Sequence, residues 1–162
     1  MYFAGVDVGS AFTKAVVIDG DGHVLGSAIV RTGISFEAHA EAALDDAIHQ
    51  ANIDRTSVGL IGATGVGRRN CTFASVIKPE IGCFAQACYF YHRSHCVVID
   101  IGGQDNKVIR VGSNGTQESF QMNRKCAAGT GAFIEEISFK LNIPQHDMNE
   151  RAQRASRSIK IG

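Results

Sequence analysis

A pattern that occurs twice, about 95 residues apart, constrains the fold of this chain more than any other feature. Near the start, "YFAGVDVGSAFTKAVVIDGDG" contains hydrophobic–Asp–hydrophobic–Gly, a polar turn, a lysine followed by a hydrophobic strand, and a closing glycine turn. The segment "HCVVIDIGGQDNKVIRVGSNG", from residue 95 onward, has the same features in the same order. A repeat of this length is typical of two lobes with similar topology. We predict a first lobe over residues 1–95 and the N-terminal part of a second lobe over residues 96–162.

The composition argues against several classes of protein. Sixteen basic residues balance sixteen acidic ones, so no strong field attracts nucleic acid or an anionic membrane. The N-terminus lacks the basic region of a signal peptide, and the uncharged stretches are far shorter than the roughly 20 residues that span a bilayer. Five cysteines without a CxxC pair fit a reducing compartment. We therefore expect a cytoplasmic protein that binds neither nucleic acid nor membrane.

The first half of the chain predicts a hairpin-rich β-meander followed by a helix. The runs "YFAGVDVG", "TKAVVID" and "HVLGSAIVR" are β-type and are separated by glycine turns. Ser35 is expected to cap a helix. The apolar face of that helix repeats at helical spacing and consists of Phe36, Ala40, Leu44, Ile48 and Ala51. The segment "SVGLIGATG" then predicts a buried strand, and "CFAQACYFYHR" predicts a second helix.

The region after the second hairpin predicts a strand at "TQESFQM" and a helix over residues 129–141. One side of that helix would carry Phe133, Ile134, Ile137 and Leu141. Asp147 or Asn149 is expected to start another helix. The basic residues Arg151, Arg154, Arg157 and Lys160 recur every three positions, and we predict that they form a solvated face. Residues 96–162 are few for a complete second lobe, so we expect the chain to be a fragment.

Cys126 lies just ahead of this predicted helix. The positive end of a helix dipole and its unpaired N–H groups favour negative charge, such as a thiolate or a thiolate-bound metal cluster. The alternative is a small buried thiol, since free cysteine packs as a small hydrophobic residue. The other cysteines lie in or beside apolar runs and are expected to be buried thiols rather than metal ligands: Cys71, Cys83, Cys88 and Cys96.

Each hairpin of the repeat has chemistry suited to a phosphate. Glycines let the backbone approach an anion, and turn N–H groups form an anion-binding concavity. The first hairpin adds Ser10, Thr13 and Lys14, and the second adds Gln104 and Asp105. Two such hairpins facing each other would clamp a polyphosphate, with Asp7 and Asp100 holding Mg²⁺. The P-loop pattern GxxxxGK[ST] is absent from the sequence, and the glycine spacing of "GATGVGRR" differs from that of a dinucleotide-binding loop.

The paired hairpins resemble the phosphate motifs of the acetate kinase, sugar kinase, Hsp70 and actin superfamily. Within it, "GVDVGSAFTKAVVID", "GATGVGR", "VVIDIGGQDNKVI" and "NRKCAAGTGAFIEEI" together resemble the BadF/BadG/BcrA/BcrD ATPase family. That family contains the activators of 2-hydroxyacyl-CoA dehydratases and the ATP-binding subunits of benzoyl-CoA reductase. The resemblance covers residues 3 to about 143. It implies an α/β fold of actin/Hsp70-like, ribonuclease H-like lobes, with mixed sheets flanked by helices and the second lobe incomplete.

The resemblance also implies a function. Members are ATPases that work as dimers, either of one subunit or of two related subunits, and share a [4Fe–4S] cluster between subunits. ATP binding and hydrolysis move the helices that end at the cluster. A low-potential electron, received from ferredoxin or flavodoxin, then passes to an acyl-CoA dehydratase or reductase.

The site residues carried over from this resemblance fall into three groups. Cys126 would be a cluster ligand. Asp7, Asp100 and Asp105 would serve Mg²⁺, and Gln104 would orient the attacking water. The remaining contacts to ATP or ADP would come from Gly9, Ser10, Thr13, Lys14, Gly102, Gly103, Gly129, Thr130 and Gly131.

Departures from the family pattern keep other interpretations open. The second cluster cysteine and the adenosine-binding glycine motif are expected downstream of Gly162. Ala132 stands where many dehydratase activators carry arginine, which leaves the benzoyl-CoA reductase branch open. A small-molecule kinase of the same fold would leave "KCAAGTG" without a role. In a non-catalytic dimerisation or regulatory module, the glycine turns would be no more than tight turns.

Overall fold

The computed structural model describes residues 1–123 and 131–157, which form eight strands, four α-helices and two single-turn 3-10 helices. The strands are β1 (Tyr2–Val8), β2 (Phe12–Ile18), β3 (Val24–Arg31), β4 (Val58–Thr64), β5 (Val76–Ile77), β6 (Cys96–Ile101), β7 (Asn106–Val111) and β8 (Gln117–Asn123). The helices are α1 (Phe36–Ala51), α2 (Glu80–His92), α3 (Gly131–Leu141) and α4 (Gln145–Gln153). None of the helices in these ranges is long and apolar enough to cross a membrane.

The chain divides into two compact units. The first contains Met1–Ile99 and Val108–Gln121, and the second contains Asp100–Lys107 and Met122–Gly162. The turn of the second hairpin and the helices after β8 therefore belong to the same unit. The lobe boundary near residues 93 to 96 stays a prediction.

The first sheet is mixed and has the strand order β3-β2-β1-β4-β5. β1 pairs antiparallel with β2, and β2 pairs antiparallel with β3, as the meander predicts. β4 pairs parallel with β1 because α1 carries the chain back across the sheet. The prediction that β4 is a buried strand was wrong for most of its length, since only Ala63 is buried and Leu60 is 39% exposed.

Helix α1 covers one face of this sheet. The Ser35 hydroxyl accepts a hydrogen bond from the Ala38 N–H at 3.3 Å, which confirms the predicted cap. Asn52, with φ of 53°, ends the helix in the left-handed region. The buried residues of the helix are Ala40, Ala43, Leu44, Ala47 and Ile48, and they join Val6, Val8 and Val17 of the sheet in one core.

The turn between β2 and β3 is closed by a carboxylate. Asp19 Oδ1 accepts hydrogen bonds from the N–H groups of Asp21 and His23, both at 2.9 Å. Asp19 Oδ2 lies 3.0 Å from His23 Nδ1. The hydrogen bond from the His23 N–H is the main reason that the pKa of Asp19 is lowered. The hydrogen bonds of the Asp19 carboxylate within this turn therefore account for its position.

The second sheet has the order β6-β7-β8, and α2 covers one of its faces. Ala85 of α2 packs against Ile109 and Val111 of β7, while Val97 and Ile99 of β6 point outward and are exposed. Helix α2 begins at Glu80, earlier than predicted. Its N-cap is Pro79, and proline's restricted φ suits a helix start.

Helix α4 corrects one prediction about the end of the chain. It begins at Gln145 with Pro144 as its N-cap, rather than at Asp147 or Asn149. The Asp147 N–H donates to the Pro144 carbonyl at 2.9 Å, so Asp147 lies inside the first turn. Arg151, Arg154 and Arg157 are exposed, which confirms the solvated face for these three residues. Lys160, the fourth member of that face, lies outside the described residues.

Candidate functional site

The first hairpin joins an acidic and a basic side chain. Asp7 at the end of β1 is the register partner of Lys14 on β2. The Lys14 Nζ donates to Asp7 Oδ2 at 3.2 Å, and the side chains of Lys14 and Asp7 are 49% and 33% exposed. The turn is closed by the Gly9 N–H, which donates to the Phe12 carbonyl at 3.1 Å. An exposed ammonium therefore lies beside a partly exposed carboxylate and close in sequence to the exposed Ser10.

Thr13 lies on the other face of β2. Its side chain is fully buried, and Oγ1 is 2.9 Å from Thr32 Oγ1. Successive side chains of a strand point to opposite faces, so the exposed Lys14 and the buried Thr13 do not share a site. Of the two predicted phosphate ligands on β2, we therefore keep only Lys14 in the candidate site.

The motif "GATGVGR" packs against the end of β1. Gly65 has φ of +87°, and a Cβ at this position would lie 2.5 Å from Asp7 Oδ1. The Gly67 N–H donates to the Val8 carbonyl at 3.0 Å, and Arg68 Nη1 donates to the Gly65 carbonyl at 2.7 Å. Only glycine suits position 65, both for its backbone conformation and for its space. The loop therefore packs directly beside the Asp7 carboxylate.

Thr64 is a candidate site residue that was not predicted from the sequence. It is the register partner of Asp7 in the parallel pairing of β1 and β4. Its Oγ1 is buried and has no hydrogen-bond partner among the described residues. A buried hydroxyl without a partner costs free energy, so a ligand that bonded to it would offset that cost. The only signal in the sequence was its place in "GATGVGR".

A cavity of about 440 Å³ lies on the sheet face that Asp7 and Lys14 share. Its wall is mostly apolar and includes Gly5, Val16, Gly62, Cys83, Phe84 and Ala87. Asp7, Lys14 and Thr64 are also part of the lining. Lys78 and Glu80 complete the polar part of the lining. The first unit therefore offers a concave, mostly apolar surface with a few polar groups, a form typical of ligand sites.

The second hairpin has the same acid–base spacing but a different environment. Lys107 lies seven residues after Asp100, as Lys14 does after Asp7, and its Nζ donates to Asp100 Oδ2 at 3.0 Å. The same Nζ donates to Asp105 Oδ1 at 2.5 Å. The side chain of Lys107 is only 4% exposed. Lys107 belongs to the repeated sequence pattern, but the pattern alone predicts no role for it.

The turn of the second hairpin is hydrogen-bonded to the start of α3. The Gly102 N–H donates to the Asp105 carbonyl at 2.8 Å and closes the turn. The carbonyls of Gly102 and Gly103 accept from the N–H groups of Gly131 and Ala132 at 3.0 and 3.1 Å. These two N–H groups of the helix start are thus satisfied by the turn. Gln104, at the same turn, is exposed.

The cysteines divide into two groups. Cys126 lies outside the described residues, as do Gly129 and Thr130. Cys71 is buried, and burial raises the pKa of its thiol, as it does for the half-buried Cys88. Cys83 and Cys96 are also half-buried. Of these four, Cys71 confirms the prediction of a buried thiol, whereas the other three are only partly buried.

A mixed first sheet covered by a helix, together with an acidic glycine turn in each of the two sheets, is typical of the actin/Hsp70-like ATPases. This confirms the predicted fold class. The chain belongs to the BadF/BadG/BcrA/BcrD ATPase family, whose model matches residues 4–161.

Several relatives of the chain are activators of acyl-CoA dehydratases. The activator of lactoyl-CoA dehydratase from Anaerotignum propionicum is 36% identical over 99% of this chain and 62% of its own length. The crystal structure of the Acidaminococcus fermentans (R)-2-hydroxyglutaryl-CoA dehydratase component A is 31% identical, with a TM-score of 0.89 over 99% of this chain and 62% of that one. The activator of the 2-hydroxyisocaproyl-CoA dehydratase from Clostridium difficile, with bound ADPNP, is 28% identical with a TM-score of 0.88 over 99% and 60%. The chain thus spans about three fifths of the length of these relatives.

A more distant relative belongs to the other branch of the resemblance. One of the subunits of benzoyl-CoA reductase from Thauera aromatica is 26% identical over 94% of this chain and 55% of its own length. Its identity to this chain is lower than that of the three activators.

Proposed function

We propose that this chain is the phosphate-binding part of an ATP-hydrolysing iron–sulfur activator, which passes low-potential electrons to a 2-hydroxyacyl-CoA dehydratase-type partner. The observation that carries the proposal is the repeated Asp–Lys pair at a glycine turn, at Asp7–Lys14 and at Asp100–Lys107. The family and the names of its relatives support the same function.

The exposed polar groups of the two turns fit a nucleotide phosphate. The Lys14 ammonium is half exposed and has one observed carboxylate partner, so it is free to turn toward an anion. Ser10 and Gln104 are exposed at the turns. In the proposal, Ser10 and Lys14 of the first turn bind phosphate oxygens, and the Gly102–Gly103 turn is a second phosphate contact. Gly131, at the start of α3, is also a proposed nucleotide contact. That the two turns face each other stays a prediction.

The carboxylates fit Mg²⁺, which prefers oxygen ligands and retains several waters. In the structure, one carboxylate oxygen of Asp7 accepts a hydrogen bond from Lys14, and one of Asp100 accepts from Lys107. The other oxygen of each carboxylate suits a hydrated cation. In the proposal, Asp7, Asp100 and Asp105 orient that cation, and Gln104 positions a water. The cation, when bound, would neutralise charge on the phosphates.

A cluster ligand at Cys126 would connect the nucleotide to electron transfer. A [4Fe–4S] cluster takes about four thiolates, so a dimer in which each subunit supplies two is the arrangement we propose. The start of α3, which follows Cys126, is hydrogen-bonded to the Gly102–Gly103 turn. A shift of that turn on phosphate binding would therefore reach the cysteine segment. Gly129 and Thr130, within this segment, are proposed nucleotide contacts.

The proposal extends to the surroundings of the protein. The relatives are named as activators of acyl-CoA dehydratases, so we propose a dehydratase of this class as the partner and a ferredoxin or flavodoxin as the donor. A cytoplasmic location fits the sequence. The benzoyl-CoA reductase branch is the second candidate, because Ala132 replaces the arginine that is common in activators.

The test uses the full product of the gene, purified without oxygen. We expect ADP binding, ATP hydrolysis, and iron and sulfide in a ratio that corresponds to one cubane cluster per dimer. Lys14→Met should lose ADP affinity by about tenfold, the effect of removing one charged contact, and should keep its iron. Cys126→Ser should lose iron and keep ADP binding.

Cys83→Ser is the matched control for the iron measurement, since Cys83 is a half-buried free cysteine and is not a proposed cluster ligand. Iron that is lost equally from the Cys83 and Cys126 variants would contradict the assignment of Cys126. ATP consumption by iron-free protein that depends on an added sugar or acid would favour the kinase. Reduction of benzoyl-CoA by the protein with its cognate subunits would favour the reductase branch.

A further inference from the structure

The two hairpins share one Asp–Lys spacing but hold their lysines in different ways. Lys14 is 49% exposed and pairs with Asp7 at 3.2 Å. Lys107 is 4% exposed and pairs with Asp100 at 3.0 Å and with Asp105 at 2.5 Å. A buried ammonium is tolerated only when carboxylates or other acceptors replace its lost hydration. Lys107 is therefore committed to the protein, whereas Lys14 can reach a ligand.

The Lys107 ammonium bridges both ends of the second turn. Asp100 lies near the end of β6, and Asp105 immediately precedes β7. The backbone closes the same turn through the hydrogen bond from the Gly102 N–H to the Asp105 carbonyl, at 2.8 Å. One cation thus fixes two carboxylates that flank the backbone of Gly102 and Gly103.

Charge gives this arrangement a consequence for ligand binding. Two ionised carboxylates at a turn repel a phosphate, and Coulomb repulsion is stronger where water is partly excluded. The ammonium of Lys107 offsets one of the two negative charges. Without it, an anion that approached the Gly102–Gly103 turn would meet the full repulsion of Asp100 and Asp105.

The geometry points to Lys107 as a positioning residue. It holds the carboxylates of Asp100 and Asp105 in place and offsets their charge, so that a nucleotide phosphate can approach the second turn. Lys107 does not itself bind the phosphate. The inference rests on the proposed nucleotide-binding function, and it gives a role to a residue for which the sequence alone predicted none.

The experiment measures ADP affinity by calorimetry in the full-length protein, with EDTA present so that no divalent cation contributes. Lys107→Met should weaken binding by about tenfold, the order expected for one uncompensated charge nearby. Asp105→Asn keeps the shape of the side chain and an acceptor oxygen for Lys107. It removes one negative charge and should tighten metal-free binding severalfold.

The combined variant Lys107→Met/Asp105→Asn separates charge from structure. It has one carboxylate and no ammonium, the same net charge as the native turn, and should recover most of the affinity that Lys107→Met loses. Lys140→Met is the control, because Lys140 is an exposed lysine that pairs with Glu136 on α3. Its affinity should equal that of the wild type.

The outcomes are distinct. If the combined variant binds as weakly as Lys107→Met, the lysine is merely structural and the inference is wrong. Should Lys107→Met fail to fold, Asp105→Asn decides alone, and unchanged or weaker metal-free binding by that variant overturns the inference. If the wild-type protein does not bind ADP at all, the proposed function itself is wrong and the inference falls with it.

Discussion

At the scale of single residues, burial decides which of two chemically equal groups can act on a ligand. Lys14 and Lys107 occupy equivalent positions of the repeat, and each pairs with an aspartate seven residues earlier. One is exposed and the other is buried. Thr13 and Lys14 are neighbours on β2. The buried Thr13 hydroxyl is hydrogen-bonded to that of Thr32, while the Lys14 side chain is exposed. The identity of a side chain in a motif is therefore a weaker guide to its role than the face on which it lies.

Thr64 gives a prediction at this scale. Thr64→Val keeps the shape of the side chain and removes a buried hydroxyl that has no partner among the described residues. We expect stability to be unchanged or to rise by about 1 kcal/mol, since an unsatisfied polar group is lost. We also expect ADP affinity to fall by roughly threefold to tenfold, the worth of one hydrogen bond. Urea unfolding and calorimetry measure the two quantities.

Thr13→Val is the matched comparison for Thr64. Its hydroxyl has an internal partner in Thr32, so the substitution should lower stability by about 1 kcal/mol and leave ADP affinity unchanged. Equal ADP affinities for Thr64→Val and the wild type would remove Thr64 from the candidate site. A loss of affinity in Thr13→Val alone would restore the role that the sequence first suggested for Thr13.

At the scale of elements, close packing of α1 on β3 fixes the first sheet. Gly26 of β3 faces the helix, and a Cβ at this position would lie 2.2 Å from the Ala47 carbonyl oxygen and 2.6 Å from the Ala51 nitrogen. The small buried residues Ala40, Ala43 and Ala47 line the same side of α1. Small side chains let the helix backbone approach the sheet, and this holds β1 and β2, and therefore Asp7 and Lys14, in place.

Gly26→Ala tests this packing. The added methyl group meets backbone atoms that cannot rotate away, so we expect a loss of about 1–3 kcal/mol or more in the free energy of unfolding. The control is Gly82→Ala on α2, where a Cβ would meet no atom within 4 Å. Alanine is the better helix former, so Gly82→Ala should stabilise the chain by up to about 1 kcal/mol. Urea midpoints that fall equally for both variants would contradict the role of Gly26.

At the scale of the whole molecule, the chain exposes much apolar surface. In the second sheet, Val97 and Ile99 of β6 are 59% and 70% exposed, and Val108 of β7 is 44% exposed. Their neighbours Val98 and Ile109 face α2 and are covered. Contiguous exposed apolar surface on a chain of this size is typical of an interface or of an association hazard. The 162-residue chain therefore presents a sheet that has a core on one side only.

This open face predicts the behaviour of the 162-residue chain in solution. We expect the chain to bind the dye ANS and to self-associate in a concentration-dependent way, because water is unfavourable beside such a face. Ile99→Lys should reduce both effects severalfold. Val24→Lys is the control, since Val24 is 55% exposed on the other sheet. Dye fluorescence and light scattering that are equal for both variants would show that the association arises elsewhere.

The sequence by itself determined most of the local structure. Alternation, glycine turns and a cap at Ser35 act over a few residues, so the three opening strands, α1 and the second hairpin were predicted correctly. The repeated Asp–Gly turns are also local patterns, and they predicted phosphate binding. The motifs together indicated the family. The start of α4 was predicted two to four residues late, because Asp147 and Asn149 are favoured N-cap residue types, whereas Pro144 fills that position in the structure.

Only the tertiary structure decided which motif residues share a site. Parallel pairing of β1 with β4 brings Thr64 and Gly65 beside Asp7, across more than fifty residues of sequence. Burial separated Thr13 from Lys14 and gave Lys107 two carboxylate partners. These properties depend on non-local packing and on the loss of water around each group. Local patterns of residue type contain no information on non-local packing or on the loss of water. This is the physical reason that the sequence identified the two turns but not all of the side chains that lie beside them.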